Sequence, residues 1–190
     1  MTLEDGHGPT DAKLVDSYQR NRDLEALDTL VGRYVERTRC LIFGMVLNES
    51  DADDITQEAF LNVVRGLSNF DRRCKFSTWL YQVAVNTTRR FFTTRRRSDR
   101  SVDGNVDGQA GPAVDEPERK ATAGELHDEI MVAIDSLSPP LRTAMILTVI
   151  DGLPAKEVAD IEGCAPETIR WRVHEARKIL KDRLAKYLKP

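Results

Sequence analysis

Three cysteines, three histidines and a 6% share of aromatic side chains leave this 190-residue chain poor in the residues from which metal sites, disulfide frameworks and nucleophilic triads are built. Cys40, Cys74 and Cys164 are odd in number and far apart, with no Cys-x-x-Cys pair, so neither a disulfide scaffold nor a zinc knuckle follows from them. They read as reduced thiols. His7, His127 and His174 are scattered, with no nucleophile beside a base. Long apolar runs are missing as well: Cys40 to Leu47 and Ala144 to Ile150 fall far below the roughly 18 residues a membrane span needs. The opening, MTLEDGHGPTD, lacks the basic-then-apolar order of a secretion signal, and a cytoplasmic protein is expected. No alternating strand pattern occurs either, whereas apolar residues recur at helical spacing almost throughout. The expected fold is all-α, with no cofactor and no bound metal.

What is present is charge, unevenly placed. The net charge of −3 conceals blocks of −6 over residues 1–66, +7 over 67–100, −7 over 101–135, −2 over 136–162 and +5 over 163–190. Two basic patches in an acidic chain can each follow phosphates, while the acidic remainder weakens any unaided hold on duplex DNA. A nucleic-acid contact that needs a partner's help is expected. Between the patches, SDRSVDGNVDGQAGPAVDEPERK has three glycines, two prolines, many acids and almost no large apolar residue. Such a segment cannot bury enough surface to order itself, and residues 98–120 read as a flexible acidic linker. Two small helical domains follow, residues 1–97 and 121–190.

Within the first, Leu14, Tyr18, Leu24, Leu27, Leu30, Val31, Tyr34 and Val35 predict a helical arm broken near RNRD. Ser50 with Asp53 reads as a capping box for a helix whose face is Ile55, Ala59, Val63 and Leu67, ending near Asn69. A further helix from Phe76 to Arg97 turns Phe76, Leu80, Val83, Thr87 and Phe91 inward. Its other stripe carries Trp79, Asn86, Arg90 and Arg97, with Gln82, Arg89 and Arg96 beside it. Aromatic rings, an amide and arginines on one stripe suit a single strand: rings stack on unpaired bases and arginines follow the backbone. In the second domain, Leu126 to Leu137 and Pro139 to Ile150 predict two helices. PAKEVADI, the turn EGC and a long helix from Ala165 then have the spacing of a helix-turn-helix. On that last helix Ile169, Val173, Ala176 and Leu180 pack, and Glu167, Trp171, His174 and Lys178 face away, flanked by Arg170, with Arg172 and Arg177 near the packing edge. Arginine and histidine bond purine edges, lysine grips phosphate, and Trp171 suits a thymine methyl or a sugar.

Asp51 to Phe92 resembles region 2 of the bacterial RNA polymerase sigma factors of the extracytoplasmic function (ECF) group, within the sigma-70 family, through Gln57-Glu58-Ala59-Phe60, Phe76-x-x-Trp79-Leu80 and Ala84-Val85-Asn86. Residues from Leu137 to Leu180 resemble region 4, and together the likeness covers about residues 11–97 and 123–185. The resemblance implies a promoter-recognition factor, active in a stress or envelope response, that binds core RNA polymerase and promoter DNA and is restrained by an anti-sigma factor. It implies core-polymerase contacts at Asp54, Gln57, Glu58 and Leu61. It places −10 strand contacts at Asn69, Phe70, Lys75, Trp79, Asn86, Arg89 and Arg90, with a flipped base in the loop Asn69 to Lys75. It places −35 contacts at Thr168, Arg170, Trp171, Arg172, His174, Arg177 and Lys178. Trp171 departs from the small residue usual in such helices, and Glu175 from a frequent basic one. The implied promoter elements, some 18 base pairs apart, are separated by about 60 Å of duplex. A relaxed linker of 23 residues spans only roughly 25 Å. The free chain is therefore expected to keep its domains close, and the polymerase to hold them apart.

Two rival readings remain. The C-terminal helices also resemble those of response-regulator transcription factors, which would demand an α/β receiver in the first half, a pattern residues 1–97 do not offer. An enzyme using Asp51, Asp53 and Asp54 to hold magnesium is disfavoured because capping accounts for Asp53 and no second acidic helix supplies matching ligands. No catalytic residue is assigned.

Overall fold

In a computed structural model, described over residues 8–102 and 123–188, the chain is helical without strands among the described residues. The first half is α1 (Asp11–Asn21), α2 (Leu24–Val46), α3 (Glu49–Leu67) and α4 (Phe76–Val102). The second is α5 (Ala123–Asp135), α6 (Pro139–Met145) running into a π-helical turn (Ile146–Ile150), α7 (Ala155–Glu162), α8 (Pro166–Arg183) and the single turn α9 (Ala185–Leu188). Side chains of residues 96–102 and 123–128 are outside the description, as is most of the expected linker, residues 103–122.

The break at RNRD has a defined geometry. Arg22 enters the left-handed region at φ 55°, its N–H closes on the Tyr18 carbonyl, and the Asp23 side chain accepts from the Ala26 N–H to start α2. The start of α3 departs from expectation. Asn48, not Ser50, is the N-cap, and its side chain accepts from the Asp51 N–H. Asp53 is therefore no capping residue; it receives the Arg39 guanidinium at 2.6 Å, and Glu49 pairs with the same arginine. α4 also runs past the expected boundary at Arg97, to Val102, since the first helix-breaking glycine is Gly104.

Two cores belong to the first half. Leu14, Val15, Tyr18, Leu27, Leu30, Val63, Leu67, Phe70, Phe76 and Leu80 form one. In the other, Ala52, Ala59 and Ala84 are fully buried, and their small side chains let α2, α3 and α4 approach closely around Ile42 and Ile55. A third, small core of Leu137, Leu141 and Ala176 belongs to the second half.

The largest surprise is a core shared between halves: Leu41 and Met45 of α2 and Tyr81 and Val85 of α4 pack with Ala144, Ile146, Leu147, Val158, Ile161 and Ile169. Each such side chain, taken from water, contributes roughly 1.5–3 kcal/mol, so the halves are joined by more than a tether. Polar contacts frame this core. Arg37 bonds the carboxylate and carbonyl of Asp151, and Arg142, 6% exposed, donates from Nη1 to the Met45 carbonyl at 3.0 Å. The same guanidinium reaches the carbonyls of Ile134 and Asp135 at the end of α5 and of Leu137 just beyond it. The compact arrangement expected of the free chain is thus the one observed.

Candidate nucleic-acid interface

Three surfaces bring the sequence-predicted residues together. On α3, Asp54, Gln57, Glu58 and Leu61 share one stripe by their three-, four- and seven-residue spacing, and all four are exposed, Leu61 by 48%. The capping network has sorted the acids of DADD. Asp51 pairs with Arg95 at 2.7 Å and Asp53 with Arg39, whereas Asp54 and Glu58 make no ion pair among the described residues. An acidic stripe with one apolar residue at its end is left facing outward.

On α4, Asn86, Arg89 and Arg90 line an open groove of 560 Å³ together with Thr93 and Thr94. Asn86 and Arg90 are exposed, and neither has a hydrogen-bond partner among the described residues. Below the groove the loop from Asn69 to Lys75 is held from α1, a role no local signal announced. Gln19 donates to the carbonyls of Leu67 and Phe70, and Arg72, at φ 60°, donates to Asp16 at 2.6 Å and to Gln19 at 2.7 Å. That bond from Arg72 holds the Asp16 carboxyl below its ordinary range. Asn69 stays exposed at the loop's start.

Two of the expected strand contacts are placed otherwise. Phe70 is 8% exposed, stacked on Trp79 with ring centroids 4.9 Å apart and edge-on to Phe76 at 6.3 Å. A ring enclosed on both faces offers no platform to a base, so Phe70 is a core residue. Trp79 is half-buried with one face spent on Phe70 and its edge near Phe76, and it forms the wall of the loop rather than a free stacking surface. The reason is local: residues 70, 76 and 79 converge where the loop re-enters α4, and apolar area there is best removed from water by mutual packing.

The second-half surface is α8. Gly163, at φ 67°, makes the left-handed turn out of α7, a conformation that would strain an L side chain, and Pro166 opens α8. Ile169 and Ala176 are buried and Val173 and Leu180 half-buried, the packing face expected from the sequence. Trp171 is 60% exposed, and Arg170, His174, Arg177 and Lys178 are exposed around it, with Thr168 half-buried near the helix start. Arg170 is steadied by Glu167 at 2.9 Å. Arg172 is the exception: it is half-buried and its Nη1 turns inward to donate to Glu162 of α7 at 2.9 Å. Glu162 was not among the residues singled out from the sequence. No helix among the described residues is long and apolar enough to cross a membrane.

Comparison with known proteins agrees with this geometry. Residues 30–98 match Sigma-70 region 2 and residues 127–180 match Sigma-70 region 4. The chain is 31% identical over 182 residues to the ECF RNA polymerase sigma-E factor of Haemophilus influenzae, covering 92% of this chain and 95% of that one. It is 32% identical over 188 residues to the RNA polymerase sigma-H factor of Pseudomonas aeruginosa, covering 94% and 96%. Its fold is similar to that of the sigma factor RpoE solved with the anti-sigma factor NepR from Bartonella quintana, with TM-score 0.69 and 21% identity over 84% of this chain and 96% of that one. It is similar also to CnrH solved with the cytosolic domain of CnrY, with TM-score 0.67 and 20% identity over 93% and 97%.

Proposed function

For a chain that belongs to the ECF group of sigma-70 family RNA polymerase sigma factors, we propose the following division of labour among its three surfaces. As a sigma factor it binds core RNA polymerase and directs promoter recognition and transcription initiation; the response-regulator reading is not favoured, and the first half is helical where a receiver would need strands. The exposed stripe Asp54, Gln57, Glu58 and Leu61 docks on the polymerase. Asn86 and Arg90, with Asn69, Lys75 and Arg89, take the opened −10 strand: the amide bonds a base edge and the cations follow phosphates. Trp79 contributes by shaping the loop. Arg170, Trp171, His174, Arg177 and Lys178, with Thr168 at the helix start, read the −35 element in the major groove, and Arg172 joins them once Glu162 releases it. Residues 1–97 and 121–190 act as separate domains when both promoter elements are engaged. The chain contributes no catalytic step, works in the cytoplasm beside its polymerase, and is restrained by an anti-sigma factor.

The observation that carries this reading is the groove of Asn86 and Arg90, both exposed and without a hydrogen-bond partner among the described residues, whereas Arg20, Arg33, Arg37, Arg39, Arg72, Arg73, Arg89 and Arg95 are all ion-paired. Asn86→Ala is expected to impair promoter opening, read by permanganate reactivity of unpaired thymines, while leaving affinity for core polymerase unchanged. Gln57→Ala and Glu58→Ala are expected to do the reverse. Equal losses in both assays for all three variants would refute the division.

A further inference from the structure

The first turns of α8 carry one acid, Glu167, beside Arg170 and ahead of the exposed His174, Arg177 and Lys178. Its side chain is 75% exposed. A carboxylate on a face that approaches DNA is repelled by each phosphate it nears, so its place on the helix matters. Glu167 is the second residue of α8, and in a helix-turn-helix the first residues of the second helix meet base edges. An ionised carboxylate only accepts hydrogen bonds. In the major groove the cytosine N4 amino group suits it, whereas guanine and thymine present acceptors and adenine sets its N7 acceptor beside the N6 donor. Arg170 completes the arrangement: its Nη1 donates to Glu167 Oε1 at 2.9 Å, and Glu167 Oε2 and the Nη2 edge of the guanidinium have no hydrogen bond among the described residues. Three residues separate the two side chains, about 4.5 Å along the axis. Stacked base pairs are separated by roughly 3.4 Å, so the two reach neighbouring pairs.

We propose that Glu167 is a specificity-determining residue of the −35 contact: its Oε2 accepts from the N4 amino group of a cytosine while Arg170, steadied through Oε1, donates to O6 and N7 of a guanine in the adjoining pair. This rests on the groove-reading role of α8 argued above. A thymine or guanine in the cytosine's place sets an oxygen against the carboxylate, so the acid selects by repulsion as well as by attraction. Two plainer roles compete. An acid in the first turn favours the partial positive charge of a helix N-terminus, and Ala165, the residue before α8, has no side chain to cap it. A carboxylate that only oriented Arg170 would serve the guanine alone. Neither role ties Glu167 to the identity of a base of its own.

The full-length chain and its variants, each assembled with core RNA polymerase, are offered duplex DNA randomised across both promoter elements, and the retained sequences are counted. The wild type is expected to keep two neighbouring pairs of guanine and cytosine in the −35 element, each about tenfold over the alternatives. Glu167→Gln should convert one of the two to adenine and thymine, because an amide bonds adenine N6 and N7 together, and should leave every other position as it was. Glu167→Ala should erase the preference at that same pair. Helix stability cannot move a preference from one base to another, so the switch separates reading from capping. If Glu167→Gln weakens all sequences alike, or leaves every retained base unchanged, or if the wild type keeps no such pair, the proposal is refuted. Should Arg170→Ala and Trp171→Ala still alter the retained −35 sequences in those cases, groove reading by α8 stands without Glu167. If they too retain what the wild type retains, groove reading falls and the proposal with it.

Discussion

Replacing Arg142 by methionine keeps most of its volume and removes every hydrogen bond it makes, and the cost can be worked from its surroundings. Four backbone carbonyls receive the guanidinium, those of Ile134, Asp135, Leu137 and Met45, at distances from 2.7 to 3.2 Å. The ion pair to Asp135 is discounted because that carboxylate is 73% exposed. Hydrogen bonds to a charged donor are each worth about 1.5–3 kcal/mol, but the carbonyls at the end of α5 can recover water when the arginine goes. The Met45 carbonyl, beneath the shared core, cannot do so without parting the halves. A net loss of about 3 kcal/mol is therefore expected. Lysine should not rescue it, because one ammonium cannot span acceptors that a planar fork reaches on two sides. Urea unfolding followed by circular dichroism measures this as a lower midpoint at unchanged slope. A loss under about 1 kcal/mol for Arg142→Met, or full recovery by Arg142→Lys, would show that the buried fork is not what ties α5, α6 and α2 together.

Asn48→Ala should destabilise the chain by about 1 kcal/mol through loss of the α3 cap, while Ser50→Ala, at the second residue of the helix, should be nearly neutral; the reverse order in thermal melts would restore the sequence-based cap. Burial in the shared core, and then the Asp151 carboxylate, push the Tyr81 phenol up to about 12, with Arg37 opposing. A raised phenol pKa contributes stability that is complete below the ordinary value near 10 and is lost as pH rises toward 12, so alkaline titration should loosen the joined halves in that window, and a Tyr81→Phe difference spectrum placing this phenolate's absorbance at pH 10 with no change in radius of gyration would contradict it. Alkylation by iodoacetamide should reach Cys40, which is exposed, well before Cys74, whose thiol is pushed up by burial and by the carboxylates of Asp71 and Asp160; mass spectrometry finding Cys74 modified first would refute that order.

The elements that could be read from sequence are those whose cause is local. Ile55, Ala59, Val63 and Leu67 recur at helical spacing and all are buried, and Gly163 before a basic amphipathic helix signalled the helix-turn-helix. The α3 cap was misplaced because Asn48 and Ser50 are both good capping residues, and the choice turns on Leu47 taking the left-handed region at φ 55° to end α2, which no propensity dictates. α4 shows the deeper limit. Reading one inward face predicts Leu80 and Thr87 correctly, but Tyr81 and Val85 are buried too, against residues more than 60 positions away. A second apolar stripe on a helix tells that something covers it, and the covering partner is a tertiary fact. Gln19 and Asp16 fall in the same class, holding a loop some 50 residues downstream through bonds that depend on how α1 crosses it.

The burial of Glu162 changes how the negative charge of the whole chain is understood. Acids here serve three distinct physical ends. Asp11, Asp51 and Asp53 neutralise arginines within the first half and so help hold its helices in place. Asp54 and Glu58 face outward without ion-pair partners among the described residues, which leaves their charge unspent. Asp151, Glu157 and Glu162 reach across to arginines and a lysine of the other half. The last group is the one that joins the two halves. Of its members Glu157, partnered by a lysine 63% exposed, is open to screening by salt, whereas the fully buried Glu162 is not. The joining of the halves thus depends least on ionic conditions at the carboxylate that holds one arginine of α4 and one of α8.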